Sequence, residues 1–167
     1  MCQYCGCHEI TAVGDLMDDH FEIRNLCSHI RDAAAAGRLE ELVGYVRELQ
    51  RRFTVHNAVE ENGLYLAMTR FEEYEAQAGE LYDEHDALDG WIDALLAEAD
   101  AGRTTSLDVG PLLAELDLLY EHINREENGL FPAAAVILDA DDWARCERLR
   151  ADAQAALDRP LWSEQQR

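Results

Sequence analysis

The spacing of the apolar residues is the feature that most constrains how this chain can fold. From Val13 onward, apolar residues recur three and four positions apart along most of the sequence. This spacing places them on one face of an α-helix. Alternating β-branched runs and hairpin signals, which would indicate strands, are absent from the sequence. The sequence therefore predicts an all-α fold.

The apolar stripes divide the chain into four main helices and a fifth, C-terminal one. We predict helices over about 15–36, from about 38 through Phe53 and beyond, over about 71–101, over about 111–130 and over 139–157. The short connections favour antiparallel neighbours, and so an up-down-up-down four-helix bundle with an extra C-terminal amphipathic helix. We divide the chain into a Cys-rich N-terminal arm (1–11), the bundle (12–135), and a C-terminal helix and tail (136–167).

Composition excludes several classes of partner. Asp and Glu number 35 against 14 arginines, with no lysine, so the formal net charge is -21. A charge of this size repels phosphate backbones and anionic membranes, so we expect no nucleic-acid and no membrane partner. The sequence shows neither a secretory signal nor an apolar run long enough to span a bilayer, and we expect a cytoplasmic location.

Each helix of the predicted bundle carries one histidine on its apolar stripe. The second and fourth helices add a glutamate four positions after the histidine, within the related segments HNAVEENGLY (56–65) and HINREENGLF (122–131). Positions four apart share a helix face, so the histidine and the glutamate point the same way. The residues in this inward set are His20, His56, Glu60, His85, His122 and Glu126.

The inward glutamates indicate a metal site. Each would cost several kcal/mol to bury without a cation, and no arginine shares their stripes. A single histidine on an apolar face is usually a hydrogen-bonded core residue, but the joint pattern fits two metal ions bridged by two carboxylates and held by four imidazoles. Nitrogen and oxygen donors suit iron, manganese or zinc, whereas a structural zinc site is usually a smaller set. We interpret Cys27 as a buried apolar residue and His29 as a surface residue.

Asn-Gly pairs follow the paired acids in both related segments. Small residues at Gly63 and Gly129 would let a backbone or a ligand approach closely. A break of the helix at these points would account for them equally well.

These residues resemble the hemerythrin-like, or HHE cation-binding, family over about residues 12–135. The resemblance rests on the inward His20, on H-x-x-x-E-E in HNAVEENGLY, on YDEHDAL in the third helix and on HINREENGLFP in the fourth. It implies a four-helix bundle around a non-haem di-iron centre that reacts with dioxygen or related small molecules. It also implies terminal imidazoles and bridging carboxylates, which would be His20, His56, His85, His122, Glu60 and Glu126.

The third helix departs from the pattern of the oxygen-carrying hemerythrins, which have two histidines one turn apart there. Here Leu81 and Asp89 stand four positions either side of His85. Water, or a phenol such as that of Tyr82, could take the vacated position. This departure favours sensing or turnover of dioxygen, peroxide or nitric oxide over reversible carriage, and a weak peroxide-removing (catalase-like) activity would be compatible with it.

The N-terminal arm contains a second group of metal-binding residue types, Cys2, Cys5, Cys7 and His8. They could hold zinc or an iron–sulfur cluster, Cys2 and Cys5 could form a redox pair, or the thiols could be incidental to a terminal arm. Two further hypotheses therefore stand beside the di-iron protein. One is a thiol-assisted iron-centre repair or oxidoreductase enzyme, and the other is a metal-free helical interaction module.

Overall fold

The structure, a computed structural model, describes residues 6–159 and is built from helices. Helix α1 is Thr11–Ala35. Helix α2 comprises Leu39–Val59, a π-helical segment Glu60–Tyr65 and Leu66–Met68; α3 is Glu72–Asp100; α4 comprises Gly110–Arg125, a second π-helical segment Glu126–Leu130 and Phe131–Ile137; α5 is Ala140–Leu157. Short 3-10 turns lie at Cys7–Glu9 and Thr104–Ser106. No strand occurs in this part of the chain, which confirms the all-α prediction.

Local sequence signals set most of the helix ends. Gly37 and Gly102, which follow α1 and α3, adopt positive φ angles of 67° and 78°, a conformation that suits glycine at a helix C-terminus. Pro111 lies in the first turn of α4. Asp139 caps α5, because its side chain accepts hydrogen bonds from the backbone N–H groups of Asp141 (2.9 Å) and Asp142 (3.1 Å).

The fourth helix is longer than the sequence pattern predicts. Pro132, which follows the predicted end near residue 130, lies in the first turn of Phe131–Ile137, directly after the π-helical segment. The chain therefore remains helical for a further seven residues beyond Leu130.

Two apolar clusters form the core. The first draws on the C-terminal halves of α1 and α3 and the N-terminal halves of α2 and α4, and the second draws on the opposite ends of the same four helices. Within either cluster, successive helices along the chain thus contribute alternately their N-terminal and C-terminal halves. Helix α1 contacts α2 and α4, and α3 contacts the same two helices.

The remaining long helix, α5, packs outside this arrangement. It contacts α1, α2 and the π-helical segment of α2, and its Cys146 joins the second apolar cluster. Within residues 6–159, no helix combines the length and the apolar character needed to cross a membrane.

The four inward histidines occupy the level between the two apolar clusters. Along α2, for example, His56 lies between Phe53 of the first cluster and Val59 of the second. Along α1, His20 likewise separates Met17 from Ile23. A polar layer therefore crosses the middle of the core.

Candidate metal centre

The structure brings the six inward residues together in this layer. Each of them is at most 1 % exposed. Their possible ligand atoms form two groups, each lying within 4.8 Å of one another: His20, His56, Glu60 and Glu126 in one, and His85, His122, Glu60 and Glu126 in the other. Both glutamates belong to both groups, so the cluster has the form of two adjoining sites that share two carboxylates.

The Nε2 atoms of the four histidines face the carboxylates. Two of them lie near Glu60 Oε2, that of His56 at 3.0 Å and that of His85 at 3.5 Å. The other two, of His20 and His122, lie 3.2 and 3.3 Å from Glu126 Oε2. Nitrogen and oxygen donors thus converge on one small volume, as a metal site requires.

Several of these buried atoms have no hydrogen-bond partner within the described chain. They are His20 Nε2, His85 Nε2, His122 Nε2, Glu60 Oε1 and Glu126 Oε2. A buried polar atom left unsatisfied costs about 1–3 kcal/mol. Bound cations would offset this free-energy cost, because the unsatisfied atoms are nitrogen and oxygen atoms that face the centre. The set of four imidazoles and two carboxylates therefore fits metal ions.

A carboxylate from a neighbouring helix stands behind each histidine. The Nδ1 atoms lie 3.1 Å from Glu127 for His20, 3.5 Å from Asp19 for His56, 3.1 Å from Glu61 for His85 and 2.8 Å from Glu84 for His122. An ionised carboxylate only accepts hydrogen bonds, so the Nδ1 atoms hydrogen-bonded to one, those of His20, His85 and His122, carry the proton. The lone pair of a neutral ring is then on Nε2 and directed to the centre. His56 Nδ1 lies near Asp19 without forming a hydrogen bond.

These four carboxylates form a closed ring around the bundle. Helix α1 supports the histidine of α2, α2 that of α3, α3 that of α4, and α4 that of α1. Each supporting acid is next in sequence to an inward residue of its own helix, as Glu61 is to Glu60 and Glu84 is to His85. Adjacent helical residues point about 100° apart, so one faces the centre and the next reaches the neighbouring helix. The doubled acids and acid-His pairs were the available sequence signal, but we did not predict this role.

Arginines support three of the four carboxylates from outside. Arg24 lies 3.0 Å from Glu127, Arg150 of α5 donates to Asp19 at 2.5 Å, and Arg125 pairs with Glu84. Burial alone would raise the pKa values of the three carboxyl groups, but the histidine and arginine partners outweigh it and lower them.

Glu61 differs from the other three carboxylates. Its pKa is raised by burial and by the charge of Asp86. The support behind His85 is therefore electrostatically the weakest of the four.

The histidines titrate differently from one another. Burial alone would lower the pKa of His56, but Glu60 and Asp19 outweigh it and raise the pKa to about 10. The pKa values of His20 and His122 are raised in the same way, chiefly by Glu126. Burial dominates at His85 and lowers its pKa to about 4. In the metal-free protein, these three imidazoles therefore hold a proton more tightly beside the buried carboxylates, and metal binding competes with that proton.

The two related segments widen into π-helical turns where the Asn-Gly pairs occur. Glu60–Tyr65 and Glu126–Leu130 both adopt this geometry, so the helix is not broken there. A turn that hydrogen-bonds residue i to i+5 brings positions five apart onto one face. Tyr65 consequently lies over Glu60, although a regular α-helix would turn it well away.

Tyr65 is the functional residue that periodicity missed. Its hydroxyl lies 3.0 Å from Glu60 Oε2 and also contacts Glu126 Oε1, and its side chain is buried. Burial and the charges of the two glutamates raise its pKa well above the usual value, so the phenol keeps its proton. The aromatic at the end of HNAVEENGLY was visible, but only the π-helical geometry turns it inward.

The phenol predicted for the vacated position is not brought to the centre. Tyr82 is 46 % exposed on α3, whereas the six inward residues are at most 1 % exposed. Tyr65 supplies the buried phenol instead. As predicted, Cys27 is buried in an apolar cluster and His29 is exposed.

The two glycines behave differently. A Cβ on Gly63 would lie 2.8 Å from Cys146 Sγ and 3.2 Å from Leu149 Cδ1, so this glycine allows α5 to pack closely on α2. A Cβ on Gly129 would meet nothing closer than 3.8 Å. Close backbone approach therefore explains the first glycine and not the second.

Two residues of the site predicted in the N-terminal arm lie in the described part of the chain, and they differ in exposure. Cys7 is buried in the second apolar cluster, whereas His8 is exposed. Cys2 and Cys5 lie outside the described residues. Zinc, an iron–sulfur cluster or a redox pair at these residues stays a prediction.

Comparison with known proteins agrees with the site geometry. No curated protein and no solved structure matched the chain. Residues 11–134 match the family described as hemerythrin HHE cation binding domain, a span that includes all six inward residues and Tyr65. The chain therefore belongs to the hemerythrin HHE cation-binding domain family.

Proposed function

We propose that this protein binds two iron ions and uses them to bind, sense or react with dioxygen, peroxide or nitric oxide. His20 and His56 would hold one ion, and His85 and His122 would hold the other. Glu60 and Glu126 would bridge them. The observation that carries the proposal is that both glutamates belong to both groups of converging ligand atoms.

We also propose an up-down-up-down four-helix bundle as the scaffold, with α5 packed against its side. The alternation of helix ends in the two apolar clusters supports this topology. The bundle gives the site rigidity, because each inward histidine comes from a different helix and is supported by a carboxylate from the preceding helix of the ring.

An iron pair supplies redox capacity and coordination positions that an external molecule can take. The chain offers two imidazoles and two shared carboxylates for each ion, fewer than the six donors of a filled octahedron. Tyr65 holds a proton at its hydroxyl between Glu60 Oε2 and Glu126 Oε1, where it can orient both carboxylates. The surrounding apolar clusters exclude water from the centre on two sides.

The donor count favours sensing or turnover over simple carriage. The third helix supplies His85 alone to the ligand groups, and the nearest buried phenol is a protonated donor. We propose that the coordination position without a second histidine of the third helix is exchangeable, so that peroxide or nitric oxide can reach an ion. A weak peroxide-removing activity would follow from such a site.

Metal analysis of protein purified aerobically, with its near-ultraviolet and visible spectrum, tests the proposal. We expect two irons per chain and an absorption band of an oxo-bridged pair that tryptophan does not produce. Glu126→Gln should abolish both, because it removes the shared charge from both sites. Glu121→Gln is the matched control, since Glu121 is exposed on the same helix.

Well-folded protein that takes up no iron under anaerobic conditions would contradict the proposal. The metal-free interaction module would then be the better interpretation. Equal iron content in the Glu126→Gln and Glu121→Gln variants would contradict the bridging role.

A further inference from the structure

A cavity of about 590 Å³ between α3 and α4 reaches the candidate centre from the side. His85 and His122, one from each helix, line it. Both side chains are 1 % exposed, and their Nε2 atoms are among those without a hydrogen-bond partner in the described chain. The cavity therefore borders two histidines whose Nε2 atoms are buried and unpartnered, and we call it the α3–α4 groove.

Carboxylates surround the α3–α4 groove. They are Glu80, Asp83, Glu84 and Glu115. Arg125 pairs with Glu84 and lies 3.5 Å from Glu80, so one guanidinium offsets part of the charge of the four carboxylates. A cleft lined by one sign of charge raises the local concentration of the opposite ion and repels its own sign. This one would attract cations.

A second cavity has the opposite character. It measures about 240 Å³, and three arginines, Arg51, Arg52 and Arg150, outnumber the two acids, Asp19 and Glu48, in its lining. None of the six inward residues lines it. A cation would meet arginine side chains there and would not meet a candidate ligand.

Glu84 connects the α3–α4 groove to the centre. Its side chain is 33 % exposed, and its Oε2 lies 2.8 Å from His122 Nδ1. A carboxylate that faces the groove and touches a ligand histidine can contact an incoming ion before the buried imidazoles do. Both carboxylate oxygen and imidazole nitrogen are suitable donors for divalent iron.

We propose that the α3–α4 groove is the route by which divalent metal ions enter the centre. The acidic rim collects the ion, and Glu84 passes it to His85 and His122. This inference rests on the proposed metal-binding function and deepens it. It adds that the route discriminates by charge, so anions would reach the centre through it more slowly than cations or neutral molecules.

Filling the groove provides the first test. Gly79 lines the groove on α3, and a Cβ there would have nothing within 4 Å. Gly79→Leu would place a side chain in that space. Gly90→Leu is the matched control, because Gly90 is also on α3, is equally open and lies outside the groove lining. Circular dichroism would establish that both variants are folded.

The readout is the rate at which metal-free protein takes up ferrous ion anaerobically, followed by stopped flow, together with the final metal content. We expect Gly79→Leu to slow uptake about tenfold with unchanged final content, and Gly90→Leu to match the wild type. Equal rates for the two variants would overturn the proposed route.

Removing the rim charges provides the second test. The triple variant Glu80→Gln, Asp83→Asn, Glu115→Gln should slow uptake about tenfold at low ionic strength, and the difference should shrink in high salt. Three exposed acids elsewhere serve as the control, namely Glu40→Gln, Glu147→Gln and Asp152→Asn. Equal slowing by both triple variants would show that total charge, and not the groove, steers the ion, and would overturn the proposal.

Iron content at equilibrium and the rate of iron uptake distinguish the proposed function from the proposed route. A wild-type protein that binds no iron at equilibrium overturns the proposed function and the route together. A wild-type protein that fills with iron at a rate insensitive to both groove variants overturns the route alone.

Discussion

Replacing Tyr65 with phenylalanine should destabilise the metal-free protein far more than the metal-loaded one. In the metal-free protein, the hydroxyl lies 3.0 Å from Glu60 Oε2 and also contacts Glu126 Oε1, all within the buried core. Phenylalanine keeps the ring and removes only this hydroxyl. Two carboxylates then lose a shared donor without gaining access to water.

The size of the effect follows from the number of protons involved. A phenol carries one proton and donates to one carboxylate at a time, so the variant loses one hydrogen bond to a charged group, about 1.5–3 kcal/mol. For a domain of this length, each kcal/mol lowers the melting temperature by about 2–4 °C. We therefore expect a decrease of about 3–12 °C in the metal-free protein. Bound cations would neutralise the carboxylates, so the decrease should be smaller after iron loading.

Thermal and urea unfolding followed by circular dichroism would measure this difference in chelator-treated and iron-loaded protein. Tyr82→Phe is the matched control, because Tyr82 is 46 % exposed and its hydroxyl can reach water. A metal-free Tyr65→Phe variant that melted within about a degree of Tyr82→Phe would contradict a stabilising role of the Tyr65 hydroxyl. So would a decrease in melting temperature that iron loading left unchanged.

Other predictions concern pH, helix packing and the outer support of the site. Metal-free protein should lose stability as the pH rises through about 10, because the folded state holds a proton on His56 more tightly than the unfolded state does. It should also lose stability as the pH falls from 6.5 through about 4, because folding opposes protonation of His85; urea unfolding across this range would measure both losses. Gly63→Ala should destabilise by about 1–3 kcal/mol, since its Cβ would lie 2.8 Å from a cysteine sulfur of α5, whereas Gly129→Ala should be tolerated in the same unfolding assay. Arg150→Ala should weaken iron affinity about tenfold or more by freeing a supporting carboxylate, and titration against a chelator should show partial recovery in Arg150→Lys.

Local rules account for what could be predicted from the sequence. Apolar spacing decides which face of each helix is buried, and the i, i+4 relation puts His56 and Glu60, and likewise His122 and Glu126, on that face. The cost of burying carboxylates without a cation then indicates a metal. Apolar spacing and the i, i+4 relation depend only on the residues of one helix at a time. For this reason the six inward residues and the family could be predicted without a structure.

Tertiary structure decided the features that depend on two helices together or on a departure from regular geometry. The π-helical segment Glu60–Tyr65 brings Tyr65 to the centre. A regular helix with 3.6 residues per turn would direct Tyr65 elsewhere, and the sequence pattern therefore favoured Tyr82, which is exposed. The ring of supporting carboxylates exists because residues adjacent in one helix face different neighbours.

The place of α5 is the clearest case. Its amphipathic pattern predicts that it packs on something, but the pattern does not say where. The contact of Cys146 with Gly63 and the bond from Arg150 to Asp19 place it behind His56. A sequence encodes the angular position of each side chain along its own helix, whereas the choice of neighbour depends on how the assembled helices fill space, and only the folded chain contains that information.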